Sequence, residues 1–177
     1  MKPLPSSFFA SNAVKVARNL LGKVLEVNGF RVRIVETEAY GRDQASHAYK
    51  RTERSALMYD TYGHVYVYLI YGLYHCLNFT TDRNDAGAVL IRAVEPLEPL
   101  NPLAFKEYSC NGPGKLCRTL GIDKRFNGLK IGAEINIFDD GYKIKKIAST
   151  SRIGIKGDLH LPWRFYIEGN KFVSKVP

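Results

Sequence analysis

Apolar positions change their spacing twice within the first forty residues. Ser11-Asn12 precede Val14, Ala17, Leu20 and Leu21, which recur at helical intervals, and Gly22 follows as a stop. This predicts one short amphipathic helix after a proline-containing extended arm, residues 1–10. From Lys23 the period becomes that of strands. Val24, Leu25 and Val27, then Arg31 through Tyr40, predict two strands joined at Asn28-Gly29, a dipeptide suited to a tight hairpin turn. The polar stretch from Gly41 to about Met58 reads as a loop. Val65 through Phe79 is rich in β-branched and aromatic residues and predicts a second hairpin, turning near Tyr71-Gly72. Side chains alternate along a strand, so the turn length decides which residues share a face. Only an odd-length turn, such as Tyr71 to Leu73, sets Tyr66, Tyr68, Cys76 and Asn78 on one side.

A further strand, Ala88 to Val94, leads into the proline-rich turn Glu95-Pro96-Leu97-Glu98-Pro99. Gly112-Pro113 and Gly121 bracket a short helix. Ile135 to Phe138, Tyr142 to Ile147 and Phe165 to Ile167 read as more short strands. No repeat and no long linker interrupts the pattern. At 177 residues, 45% of them apolar, the chain suits one domain spanning 1–177 with a substantial core, since domains average about 150 residues.

Charge adds a hint about partners. The 26 Lys and Arg outnumber the 17 Asp and Glu, a net +9 that suits either a phosphate-bearing partner or simply a solvated basic face. The surplus is +2 in residues 1–100 and +7 in residues 101–177. Cys76, Cys110 and Cys117 form no Cys-x-x-Cys pair and the four histidines are scattered, so reduced structural thiols are expected, with neither a disulfide framework nor a metal site. The N-terminus lacks the roughly 7 to 15 residue apolar stretch of a signal peptide, and no segment approaches the ~20 apolar residues of a membrane span. A cytoplasmic protein without a membrane partner is expected.

The phosphate-loop, Gly-x-Ser-x-Gly, His-Glu-x-x-His and zinc-deaminase signatures are all missing from the sequence. Two constellations remain. Glu36 and Glu38 stand two apart on a predicted strand, so both carboxylates face the same way. They could pair with Arg31 and Arg33 in a surface ladder. Alternatively they answer Arg92, a lone charge in Val89-Leu90-Ile91-Arg92-Ala93-Val94 that requires a partner if buried. The second constellation is Tyr66, Tyr68, Tyr71 and Tyr74, four tyrosines within nine residues. Such a cluster can be core, but beside a basic surface tyrosine faces also suit a stacked base, and a tyrosine at a hairpin tip suits a wedge between base pairs.

In order along the chain, Arg33-Ile34-Val35-Glu36-Thr37-Glu38-Ala39-Tyr40, His47, Tyr66 through Tyr74 with Asn78, Val89 through Leu97, Asn111 through Cys117, Ser151 through Ile155 and Trp163 through Tyr166 resemble the alkyladenine (3-methyladenine, methylpurine) DNA glycosylase family. The resemblance runs from Ala17 to about Val176. It implies an α+β fold: a single mixed domain with a curved, mainly antiparallel sheet, a protruding hairpin and a few short helices. It also implies a monofunctional enzyme that flips alkylated or deaminated purines from duplex DNA and hydrolyses the N-glycosidic bond with an activated water, leaving an abasic site for base excision repair. The lesions of that class are 3-methyladenine, 7-methylguanine, hypoxanthine and ethenoadenine.

By the same resemblance, Glu38 is the general base and Arg92 holds it and the water. Tyr40 stacks on one face of the flipped base, with His47 and Tyr68 on the other. Asn78 lines the pocket floor and clashes with the 2-amino group of normal guanine, while Tyr71 intercalates into the DNA. No cofactor or metal is implied, and the partner is double-stranded DNA containing damaged purines, bound by a monomer. The loop between Tyr40 and His47 is short, and no long basic N-terminal extension precedes the motifs, which suits a bacterial-type, catalytic-domain-only member acting at the nucleoid. Two other readings fit the residues alone: a non-catalytic basic nucleic-acid-binding module, and a small-molecule hydrolase using Glu38.

Overall fold

A computed structural model describes residues 1–99, 109–155 and 161–174. Its strands in chain order are β1 (Lys2–Pro3), β2 (Val24–Val27), β3 (Phe30–Tyr40), β4 (Val65–Ile70), β5 (Tyr74–Thr81), β6 (Gly87–Pro99), β7 (Asn136–Asp139), β8 (Ile147–Thr150) and β9 (Arg164–Ile167). The α-helices are α1 (Ala13–Leu20), α2 (Ala56–Asp60) and α3 (Pro113–Leu120). The fold is α+β. One curled antiparallel sheet runs in the order β1-β7-β2-β3-β6-β5-β4, and β9, with β8 beside it, branches from β3.

The branch arises because β3 is long. Its first half, Phe30 to Arg33, pairs with β2, while Glu36 to Glu38 pair with Tyr166 to Arg164 of β9. Along its other edge β3 pairs with β6. Helix α1, capped by the Asn12 side chain on the Lys15 amide, packs on one face of this strand, where the Thr37 hydroxyl donates to the Ala17 carbonyl. Val16, Ala17, Leu20, Val35 and Phe79 are part of the main core there. On the opposite face a smaller cluster of Ala48, Met58, Tyr66, Ala86 and Ala88 packs against Tyr40 and Tyr68.

The first hairpin turns at Asn28-Gly29 as expected, with φ of 48° and 77°, the two positive values that a tight hairpin turn requires. The second turns through three residues, since Ile70 pairs with Tyr74. Tyr66 therefore opposes Asn78 and Tyr68 opposes Cys76, the odd-turn arrangement. The hairpin tip projects into solvent, with Tyr71 84% and Leu73 73% exposed.

Four expectations need correction. Residues 1–10 are not a free arm: Lys2-Pro3 pair with β7, and Ser6–Ala10 form a 3-10 helix that buries Phe9 in the core. The polar stretch after Gly41 contains a 3-10 turn at His47–Tyr49 and helix α2, which buries Met58. Strand β6 does not stop at Val94 but continues through the prolines to Pro99. Among the described residues β5 flanks β6 only at Gly87–Leu90, so the later part of β6 has β3 as its one strand neighbour, the edge position in which a strand tolerates proline. Lastly, Tyr142–Ile147 is not a strand. The Asp140 carboxylate accepts from the Tyr142 amide and from Arg33, turning the chain, and regular pairing begins only at Ile147.

Candidate active site

Sheet register assembles the site. Glu38 on β3 opposes Leu90 on β6, Leu90 opposes Asn78 on β5, and Asn78 opposes Tyr66 on β4. One transverse row thus carries a carboxylate at one end and a phenol at the other. Irregular pairing between Glu36 and Thr37 leaves Arg92 as an extra residue on β6, and its guanidinium reaches both glutamates. Arg92 Nε donates to Glu36 Oε1 at 3.1 Å and Nη1 to Glu38 Oε2 at 3.2 Å. Burial works against the Arg92 charge, but the Glu38 and Glu36 carboxylates outweigh it and hold the group protonated above its ordinary range.

The surface-ladder alternative fails. Arg31 pairs with Glu26 and Arg33 with Asp140, and both glutamates of β3 are completely buried. Glu36 also accepts from Arg164 Nε at 2.7 Å and from the Ser174 amide and hydroxyl at 2.7 and 2.8 Å. With two arginines facing two carboxylates, the buried charges balance, which is the condition for tolerating them in a core.

Glu38 has two further donors. Its Oε2 accepts from the Tyr40 hydroxyl at 2.8 Å, and its Oε1 accepts from the Ile153 amide at 2.7 Å. Burial, then the neighbouring Glu38 charge, pushes the Tyr40 hydroxyl far above the usual tyrosine range. Arg92, Tyr40 and Ile153, the three residues that hold Glu38, all line a cavity of about 430 Å³. Its walls also include His47, Tyr68 and Asn78, and Tyr71 borders it from the hairpin tip. Six of the seven site residues read from the sequence therefore line one cavity, and the seventh, Glu38, lies buried behind its wall, bonded to three lining residues.

The aromatic geometry is specific. His47 and Tyr68 lie 4.7 Å apart with their planes at 72°, so a flat group parallel to one meets the edge of the other. His47 Nδ1 is 2.9 Å from the Tyr66 hydroxyl. Burial, helped by the Arg54 cation, pushes the imidazole below its ordinary range and keeps it neutral at neutral pH. Asn78 Nδ2 donates to the Tyr66 and Cys76 carbonyls at 3.1 and 3.2 Å, which locks the carboxamide in the cavity floor. Among the described residues no three His, Cys, Asp or Glu side chains converge as a metal-binding group, and no helix is long and apolar enough to cross a membrane.

Sequence reasoning assigned no role to Arg152, Ile153, Arg164 or Ser174. Arg164 carried a usable signal: like Arg92, it is a charge embedded in an apolar strand, Trp163-Arg164-Phe165-Tyr166-Ile167. Ile153 acts through its main chain, for which side-chain identity gives no signal.

A buried, arginine-held carboxylate thus lies directly behind the wall of an aromatic cavity. Residues 7–171 match the model of the methylpurine-DNA glycosylase family. Over 202 aligned residues the chain is 45% identical to a Clostridium perfringens (strain 13 / Type A) protein named "Putative 3-methyladenine DNA glycosylase", covering 97% of this chain and 98% of the relative. Proteins of the same name from Bdellovibrio bacteriovorus and Methanocella arvoryzae are each 43% identical, covering 97% and 99% of this chain and 98% and 97% of their own lengths. The chain belongs to the methylpurine-DNA glycosylase family, and it is a DNA-repair enzyme of the glycosylase class.

Proposed function

We propose that this glycosylase receives an alkylated or deaminated purine nucleotide, rotated out of duplex DNA, in the cavity between Tyr40 and Tyr68, and hydrolyses its N-glycosidic bond with Glu38 as general base. The observation that carries this reading is the Glu38 carboxylate, buried yet tied to three residues that all line the cavity. Among the described residues Oε2 accepts two hydrogen bonds and Oε1 only one, so Oε1 keeps a lone pair for a water proton.

The bond from C1′ to the base breaks with its electron pair leaving on the purine. Water oxygen bonds to C1′, and Glu38 takes the water proton. Positive charge builds on the sugar as the base departs, so one carboxylate both orients the water and stabilises the charge. General-base assistance of this kind is worth about 10²- to 10⁴-fold. Stacking returns roughly 1 to 3 kcal/mol per base against an extrusion cost of a few kcal/mol, and a damaged base leaves the helix more cheaply.

Exposure of Tyr71 at the hairpin tip supports a wedge that fills the vacated stack. Two carbonyls hold the Asn78 carboxamide and keep it from swinging aside, which supports steric exclusion of the 2-amino group of normal guanine. The +7 surplus of residues 101–177 supplies sequence-independent attraction to DNA phosphates.

The test is a duplex containing one 3-methyladenine or one hypoxanthine, incubated with the protein and then treated with alkali to cut any abasic site. Strand cleavage by the wild type and a loss of about 100-fold or more in Glu38→Gln are expected. Cleavage undiminished in Glu38→Gln would overturn the mechanism.

A further inference from the structure

Arg152 lies behind the Tyr40 ring as seen from the cavity. Its guanidinium carbon is 4.8 Å from the Tyr40 centroid and 5.3 Å from the Trp163 centroid, so the cation is enclosed by two aromatic side chains. Tyr40 lines the cavity and Arg152 does not, so the phenol separates a buried cation from any base in the cavity. The guanidinium is fixed in place. Nη2 and Nη1 donate to the two Asp43 oxygens at 2.7 and 3.0 Å, and Nη1 also donates to the Ala39 carbonyl at 3.2 Å. Nε is buried and has no hydrogen-bond partner among the described residues.

We propose that Arg152 is a specificity-determining residue that acts through Tyr40, weakening the binding of purines that already carry positive charge and favouring departure of any purine that takes up electrons as its glycosidic bond breaks. The proposal rests on the glycosylase reading of the cavity. A cation behind one face of an aromatic ring repels a second cation on the other face, and little water lies between them to screen it. Nucleotides of 7-methylguanine and 3-methyladenine carry that second charge; those of hypoxanthine and ethenoadenine do not.

The two classes respond differently because the charge on the base changes during reaction. When the bond to C1′ breaks, its electron pair moves onto the purine. A cationic base becomes neutral and the repulsion disappears. Arg152 therefore raises KM and kcat together for cationic lesions and leaves kcat/KM nearly unchanged. A neutral base instead gains negative charge and is attracted in the transition state alone, which raises both kcat and kcat/KM. Asp43 offsets part of the cation, so the effect requires the guanidinium, 4.8 Å from the ring centroid, to act on the ring more strongly than the carboxylate does.

Two variants should push in opposite directions. Asp43→Asn leaves the cation uncompensated while retaining a hydrogen-bonding carboxamide. Arg152→Met combined with Asp43→Asn removes both charges and keeps a long stem beside the rings. Single-turnover excision and binding are measured on identical duplexes carrying one 7-methylguanine or one hypoxanthine, with a melting curve for each variant. The doubly substituted protein should bind the 7-methylguanine duplex about three- to tenfold more tightly and release hypoxanthine slower by a similar factor, and Asp43→Asn alone should shift both quantities the opposite way. Equal shifts for both lesions, or the same direction in both variants, mean a purely structural role and overturn the proposal. Failure of the wild type to release either base would overturn the glycosylase reading instead.

Discussion

The Tyr40 hydroxyl donates a 2.8 Å hydrogen bond to the Glu38 carboxylate, two residues back on the same strand. The ring proposed as a stacking wall is thus also a strut for the proposed general base. Tyr40→Phe separates these roles. A hydrogen bond to a charged group is worth roughly 1.5 to 3 kcal/mol, so kcat should fall by about ten- to hundredfold with duplex affinity preserved. Matching losses in kcat and affinity would assign the effect to the ring. Burial and Glu38 keep the hydroxyl protonated well beyond the ordinary range, so the wild-type rate should show no alkaline limb near pH 10, about where a free tyrosine ionises.

Arg164 and Glu36 form a buried pair that closes β9 onto β3. Removing one partner strands the other charge, so Arg164→Met and Glu36→Gln should each cost about 3 to 5 kcal/mol in urea-induced unfolding. The combined substitution should cost clearly less than the sum, because no charge is then left unmatched at that contact. Additive losses would show that the two side chains are energetically independent.

His47 should make the protein sensitive to mild acid. An unfolded histidine takes up a proton near 6.5, whereas burial and Arg54 hold folded His47 lower. Between those values the unfolded chain binds more protons, so stability falls as the pH drops through about 6.5. Thermal melts of His47→Gln between about pH 7.5 and 5.5 should show a flatter decline than the wild type, and parallel curves would contradict the assignment.

Tyr71 sits at φ 53°, a left-handed conformation that a bulky side chain adopts at a cost. Asparagine tolerates that region better. Tyr71→Asn should leave stability unchanged or raise it by up to about 1 kcal/mol, since the side chain is 84% exposed. The same change should cut excision from duplex DNA by about tenfold or more while sparing single-stranded substrate, because the lost stacking is worth roughly 1 to 3 kcal/mol. A fall in stability with duplex activity intact would reverse both arguments.

Part of the site was legible before any fold was known for reasons of period and charge, and Tyr40, His47 and Asn78 through the family resemblance. Strand alternation put Glu36 and Glu38 on one face, and Arg92 in an apolar run demanded a carboxylate. Whether Tyr66 and Tyr68 share a face with Asn78 and Cys76 depended on a turn length that the sequence left open and the observed three-residue turn decides. Local pattern misled at Pro96 to Pro99, where proline implied an end to the strand, yet β6 stays paired with β3 and, among the described residues, is an edge there. It misled again at Tyr142 to Ile147, where the Asp140 side chain overrides a strand-like composition.

The sequence by itself determined which side chains share a face and which charges need a partner, because both follow from neighbours a few residues apart. Only the tertiary structure decided who those partners are. Arg33 goes to Asp140, 107 residues away, and leaves the glutamates to Arg92 and Arg164. Arg164 meets Glu36 across 128 residues, and the Ile153 amide meets Glu38 across 115. Each contact exists because β7 or the segment carrying β8 and β9 folds back onto the first hairpin, and at Glu36 and Glu38 it brings distant donors into a core where water cannot satisfy the charge.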